Sequence, residues 1–104
     1  MELEKFMEIR ELFCLRHPNV TEGKMMSSPA IHYNKKVFAF FSRKQKMVFK
    51  LGKEYPLNEL KAEASEFNPF KNKKPLTGWY EVDFDHQEKW EMLTNIALEK
   101  IKKQ

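Results

Sequence analysis

"AIHYNKKVFAFFSRKQKMVFKL", Ala30 to Leu51, carries the densest strand pattern in this chain. It holds three short apolar runs separated by two polar breaks. Ala30 to Tyr33 alternates weakly, with Ile31 and Tyr33 on one face. Val37 to Phe41 is apolar on both faces, with Val37, Ala39 and Phe41 on one and Phe38 and Phe40 on the other. Met47 to Leu51 returns with Met47, Phe49 and Leu51 on one face and Lys50 opposing them. Runs of this length, rich in aromatic and β-branched residues and bounded by polar clusters, read as strands. Asn34-Lys35 suits a tight turn and Ser42 to Lys46 a polar loop. A run apolar on both sides reads as a central strand covered on both faces, or on one face plus a partner. The three together predict an antiparallel meander.

The elements on either side follow by the same rules. Leu3, Phe6, Met7, Ile9, Phe13 and Cys14 fall on one broad face of a helix from Glu2 to Leu15, and Pro18 and Asn19 turn the chain after it. Val20 to Met26 predicts a first strand, with Gly23 marking a bulge or bend. Pro56 opens a short helix whose Leu57, Leu60 and Ala64 face inward. Phe67 to Thr77 is a loop rich in Pro, Asn and Lys. Gly78 leads into a strand from Trp79 to Phe84, with Tyr80, Val82 and Phe84 on one side and Trp79, Glu81 and Asp83 on the other. Asp85 and Glu88 have the spacing of a capping box ahead of a final helix carrying Trp90, Leu93, Ala97 and Ile101. The expected order is α-β-β-β-β-α-β-α. That order predicts a two-layer α+β domain over residues 1–104, an antiparallel sheet of four to five strands with helices packed on it.

Composition sets the class. A hydrophobic content of 41% with 13% aromatic residues argues for a packed domain and against disorder. The single cysteine, Cys14, cannot form an intramolecular disulfide and reads as a small buried hydrophobe. No run reaches the roughly 20 apolar residues of a membrane span. The N-terminus opens on Glu2, Glu4 and Lys5 with no apolar signal region, so a soluble cytoplasmic protein is expected.

Charge is distributed unevenly. No Asp or Glu occurs from Gly23 to Lys53, where Lys24, Lys35, Lys36, Arg43, Lys44, Lys46, Lys50 and Lys53 collect. Lys71, Lys73 and Lys74 form a second basic loop. Such a surface suits an anionic partner, and exposed aromatics interleaved with it would stack on bases. Phe38, Phe40, Trp79 and Tyr80 are the candidates for stacking. The competing reading makes those aromatics core and the lysines solvated sheet ends. The nucleic-acid reading uses Lys35, Lys36, Arg43, Lys44 and Lys46, with Lys73 and Lys74. Since most of the charge is Lys, bidentate base reading finds little support. Turns at opposite ends of the meander would split the group.

Catalytic signals are weak. The chain has no Gly-rich phosphate loop, nucleophile elbow or HExxH motif, and no residue pattern pairs a nucleophile with a base. Asp83, Asp85, His86 and Glu88 cluster in sequence as a metal site would, but the stronger reading is that Asp85 caps the helix and the other acidic groups favour its first turn. No enzyme activity, cofactor or metal is expected. The six methionines, Met25 and Met26 among them, either fill gaps or make an adaptable contact surface. A protein partner, as monomer or homodimer, is the other expectation.

"GKMMSSPAIHYNKKVFAFF", "MVFKL", "FNPF" and "KKPLTGWYEV", followed by Trp90, Leu93, Ala97 and Leu98, together resemble the N-terminal-domain family of the TfoX/Sxy competence regulators. The matching positions are Gly23, Lys24, Met25 and Met26; Lys36, Val37, Phe38 and Ala39; Lys50 and Leu51; Pro69 and Phe70; and Pro75, Leu76 and Trp79. A similar small α+β fold occurs in the YjbR-like proteins. The resemblance implies a compact α+β domain of a bacterial-type cytoplasmic protein, with motif residues that shape the fold. It implies no activity. The function expected is that of a non-enzymatic binding domain, with a nucleic-acid-binding transcription or competence regulator as the alternative.

Overall fold

A computed structural model describes residues 2–25, 28–52, 65–66 and 78–103. Helix α1 spans Glu2–Arg16, with Glu2 and Glu4 in its first turn and Arg16 in its last, each favourable to the helix dipole. His17 N–H donates to the Phe13 carbonyl (2.9 Å), and Pro18 and Asn19 turn the chain. Six strands follow: β1 Val20–Met25, β2 Ser28–Tyr33, β3 Lys36–Phe41, β4 Met47–Lys50, β5 Ser65–Glu66 and β6 Trp79–Val82. A 3-10 turn, Phe84–Lys89, leads into α2, Trp90–Lys102. Every strand pair is antiparallel, in the spatial order β1-β2-β3-β4-β6-β5. The predicted antiparallel α+β architecture is the one observed, with five strands of four to six residues and a two-residue β5 beyond β6. The short helix expected from Pro56 and the loop from Phe67 to Thr77 lie outside the described residues.

Turn chemistry sets the meander. Asn34 and Lys35 both take positive φ, 49° and 70°, the pair of left-handed residues that a two-residue hairpin turn requires. The β3–β4 loop closes when Ser42 N–H donates to the Lys46 carbonyl (2.9 Å), with Gln45 at φ 62°. Gly78, at φ 87°, accepts from the Leu51 N–H (2.9 Å) and so locks the start of β6 against the end of β4.

Both helices lie on one face of the sheet. Phe6, Ile9 and Phe13 of α1 and Trp90, Leu93, Ala97, Leu98 and Ile101 of α2 share one buried cluster with Ile31, Phe38, Ala39, Phe41, Met47, Phe49, Tyr80 and Val82. The opposite face holds a smaller buried cluster of Ala30, Phe40 and Val48, with Met25, Val37 and Trp79 partly buried beside it.

Strict alternation fails in β3. The register runs Ile31↔Ala39 and then His32↔Val37, so Phe38 is an extra residue opposite a single step of β2. This bulge turns Phe38 to the helix-covered face with Ala39 and Phe41 and leaves Phe40 and Val37 on the other. Of the bulge or bend expected at Gly23, no bulge forms, since β1 pairs with β2 without a shift from Val20↔Tyr33 to Met25↔Ser28. The need for glycine there is steric. A Cβ on Gly23 would collide with the His32 imidazole, which lies across the glycine from the neighbouring strand.

Two helix expectations also change. The apolar face of α1 is narrower than the sequence pattern, with Leu3 43% and Met7 40% exposed, whereas Arg10 is buried. The Asp85–Glu88 capping box does not form. β6 ends at Val82, the chain tightens into the 3-10 turn with His86 outside helical geometry, and the α-helix starts only at Trp90. Trp90 sets that start: its Nε1–H donates to the Val82 carbonyl (3.2 Å) and its ring meets Phe84 edge-on at 5.8 Å.

Candidate functional site

The sheet decides where the basic residues of the acid-free segment go. Lys35 occupies the β2–β3 turn and Lys36 opens β3, both exposed. Arg43 and Lys44, also exposed, sit in the β3–β4 loop at the other end of β3. A six-residue strand is roughly 20 Å long, about twice the screening length at physiological salt, so the two groups do not form one field. The register adds Lys24, opposite Pro29, to the Arg43 end and Lys50, opposite Trp79, to the Lys36 end. Lys46 is half-buried, with Nζ 3.9 Å from Glu81 Oε1 and 3.7 Å from Asp83 Oδ1. It balances the almost fully buried Glu81, whose Oε2 has no hydrogen-bond partner. Lys73 and Lys74 lie outside the described residues.

Of the four aromatics considered for stacking, Phe38, Phe40 and Tyr80 are core residues. Trp79 retains partial exposure. It packs on Phe40 at 5.5 Å between ring centres, and the Lys50 ammonium sits 6.0 Å from its ring centre. The Lys35 end of the meander therefore combines Lys35, Lys36 and Lys50 with one accessible indole, whereas the Arg43 end combines Lys24, Arg43 and Lys44 with Glu81 and Asp83. The sequence holds both halves of this division, but only the register separates them.

The other chemical candidates disperse. Asp83 turns to Lys46, Asp85 is exposed, and His86 Nδ1 lies 4.0 Å from Glu88 Oε1. Among the described residues no three His, Cys, Asp or Glu side chains converge as metal ligands. His17 stacks on Phe13 and His32 covers Gly23. Burial pushes the Cys14 thiol up from its ordinary range, Glu22 adds to the rise, and Arg10 opposes it, so Cys14 is a poor nucleophile at neutral pH. A polar depression of about 210 Å³ between α1 and the 3-10 turn is lined by Glu4, Lys5, Glu8, Phe84 and Gln87.

The margin of the sheet has no counterpart in the sequence pattern. β1 is the first strand of the sheet order and, among the described residues, pairs with β2 alone. Thr21, Glu22 and Lys24 on it are exposed. α1 lies along this strand through Arg10, whose guanidinium spans a carbonyl, a carboxylate and a thioether. Nη1 donates to the Ala30 carbonyl (3.4 Å), and Nη2 lies 3.6 Å from Glu22 Oε1 and 3.1 Å from Met7 Sδ. Met7, and with it Leu3 one helical turn earlier, is thereby on the side of α1 that looks over β1. The opposite sheet margin, by contrast, is the two-residue β5.

Compared with family models, with curated proteins and with solved structures, the chain matches none. The architecture is that of a small antiparallel α+β domain whose six-residue β1, among the described residues, pairs on one side only. Among the described residues no helix is long and apolar enough to cross a membrane.

Proposed function

We propose that this chain is a binding domain of the TfoX/Sxy N-terminal type, which engages a macromolecular partner and performs no chemistry on it. The observation that carries this reading is the open β1 edge. An edge strand presents a row of backbone N–H and C=O groups that another chain can extend, and proteins commonly blunt such edges by shortening them. The β5 margin is short in this way, whereas β1 keeps six residues and an apolar flank from α1. The resemblance is consistent with a structural role for its own motif: Gly23 lies under His32, Lys36 to Ala39 build the bulged β3, and Trp79 opens β6.

The test is amide hydrogen exchange, measured on the chain alone and on the chain with the molecules that co-purify with it from its own cells. Partner binding is expected to slow exchange at β1 between Val20 and Met25. Protection confined to other strands would remove β1 from the role.

Nucleic-acid binding is the second reading, favoured by the occurrence of Lys35, Lys36 and Lys50 at the sheet end that holds the half-buried Trp79, with Lys50 6.0 Å from its ring centre. A labelled duplex and a matching single strand, titrated at two salt concentrations, test it. On this reading the single strand binds with an affinity that falls steeply with salt, and Lys35→Glu with Lys36→Glu abolishes binding while Arg43→Glu with Lys44→Glu does not. Absence of binding at low salt makes these lysines solvated turn residues.

A further inference from the structure

We propose that β1 pairs with β1 of a second copy of this chain, antiparallel and centred on Gly23. The proposal rests on the reading of β1 as a binding edge and names its occupant. A two-fold contact must be self-complementary, since each residue meets its counterpart's partner across the axis. Centred on Gly23, the segment Thr21–Met25 meets that demand. Glu22 falls opposite the partner's Lys24, Lys24 opposite the partner's Glu22, and the two glycines face each other on the axis.

Neighbouring registers are penalised. Moving the centre by one residue toward the N-terminus sets Glu22 against Glu22, and moving it the other way sets Lys24 against Lys24. Opposite charges directly across a strand pair are stabilising and like charges destabilising, so the charge pattern selects the Gly23 register. Glu22 is well placed for this role. Its carboxylate is 70% exposed while held toward the helix-covered face by Arg10 at 3.6 Å, so it can take the partner's Lys24 as a second cation.

Strand pairing alone supplies only part of the roughly 1,200–2,000 Å² that a stable interface buries. The apolar flank extends it. In the Gly23 register the two-fold axis stands perpendicular to the sheet, which puts both copies of α1 on the same side. Leu3 and Met7, exposed on the side of α1 that overlooks β1, then face the other copy. The product is a continuous antiparallel sheet through two chains, with the Arg43 ends and the Lys35 ends of the two meanders related by the two-fold.

Sedimentation of the purified chain, followed with Glu22→Lys, Lys24→Glu and an equimolar mixture of the two variants, tests the proposal. Wild type is expected at twice the 12.5 kDa chain mass. Each single variant places like charges in both cross-strand positions, and its dimer affinity is expected to fall roughly tenfold or more. In the mixture, the Glu22→Lys chain brings a cation at both positions and the Lys24→Glu chain a carboxylate at both. Every cross-strand pair is then of opposite charge, and the dimer returns as a heterodimer. Lys24→Glu leaves the Arg10–Glu22 pair in place, so its result stands even where Glu22→Lys disturbs the fold. A dimer indifferent to all three samples overturns the proposal, because it uses another surface. A wild-type monomer at high concentration also overturns it. If β1 of that monomer is nevertheless protected beside co-purifying molecules, the binding-edge reading survives; if it is not, both fall.

Discussion

Trp90→Ala lowers the free energy of unfolding by about 3–5 kcal/mol in urea denaturation followed by circular dichroism. Trp90 is fully buried at the first residue of α2, and its indole hydrogen-bonds the end of β6. Truncation empties the largest buried volume in the core and leaves the Val82 carbonyl without its donor, so the cavity and polar terms act in the same direction. Small domains are stable by only about 5–15 kcal/mol, so this loss is a large fraction of the whole. Trp90→Phe retains most of the packing and loses only the hydrogen bond, and its cost is correspondingly smaller. If Ala and Phe at this position are equally mild, the helix start is set by something other than the indole.

The second large effect separates Phe38 from Val37. The bulge puts Phe38 fully inside the helix-covered cluster, and Val37 stays half-buried on the other face. Phe38→Ala is therefore expected to cost about 3–5 kcal/mol, and Val37→Ala clearly less, because a smaller and wetter side chain is removed. Strict alternation makes a different prediction. It would leave Phe38 on the face with Phe40, remote from both helices, and place Val37 under α2. Nuclear Overhauser contacts from the Phe38 ring to α2 decide between the two. Contacts from Val37 to α2 instead would mean that the ladder runs straight.

These two positions show what a sequence pattern can carry. The meander of β2, β3 and β4 was legible because its signals are local: short apolar runs, and an Asn34-Lys35 pair able to adopt positive φ. The buried stripe of α2 was legible for the same reason, since Trp90, Leu93, Ala97 and Ile101 recur at helical spacing. Phe38 was misplaced because a bulge is a property of two strands, and nothing in "KVFAFF" announces which residue β2 will skip. Leu3 and Met7 share an apolar helical face with Phe6, yet both are exposed. The structure gives that space to Arg10, whose guanidinium lies 5.6 Å from the Phe6 ring centre and contacts Met7 and Glu22.

The candidate sites divide along the same line. The inventory is written in single residues: eight cations without an acid from Gly23 to Lys53, one cysteine, a sparse set of histidines, and a strand whose Glu22 and Lys24 flank a glycine. Local chemistry suffices for that, because charge and turn propensity belong to single residues. Tertiary structure alone decided how the inventory is arranged. It separated Lys35 and Lys36 from Arg43 and Lys44 by the length of β3, gave Lys46 to Glu81 and Asp83, and inserted β6 beside β4. It also left β1 at the margin of the sheet. Strand order and register arise from pairings between residues distant in the chain, and the free energy that selects them is shared by the whole core.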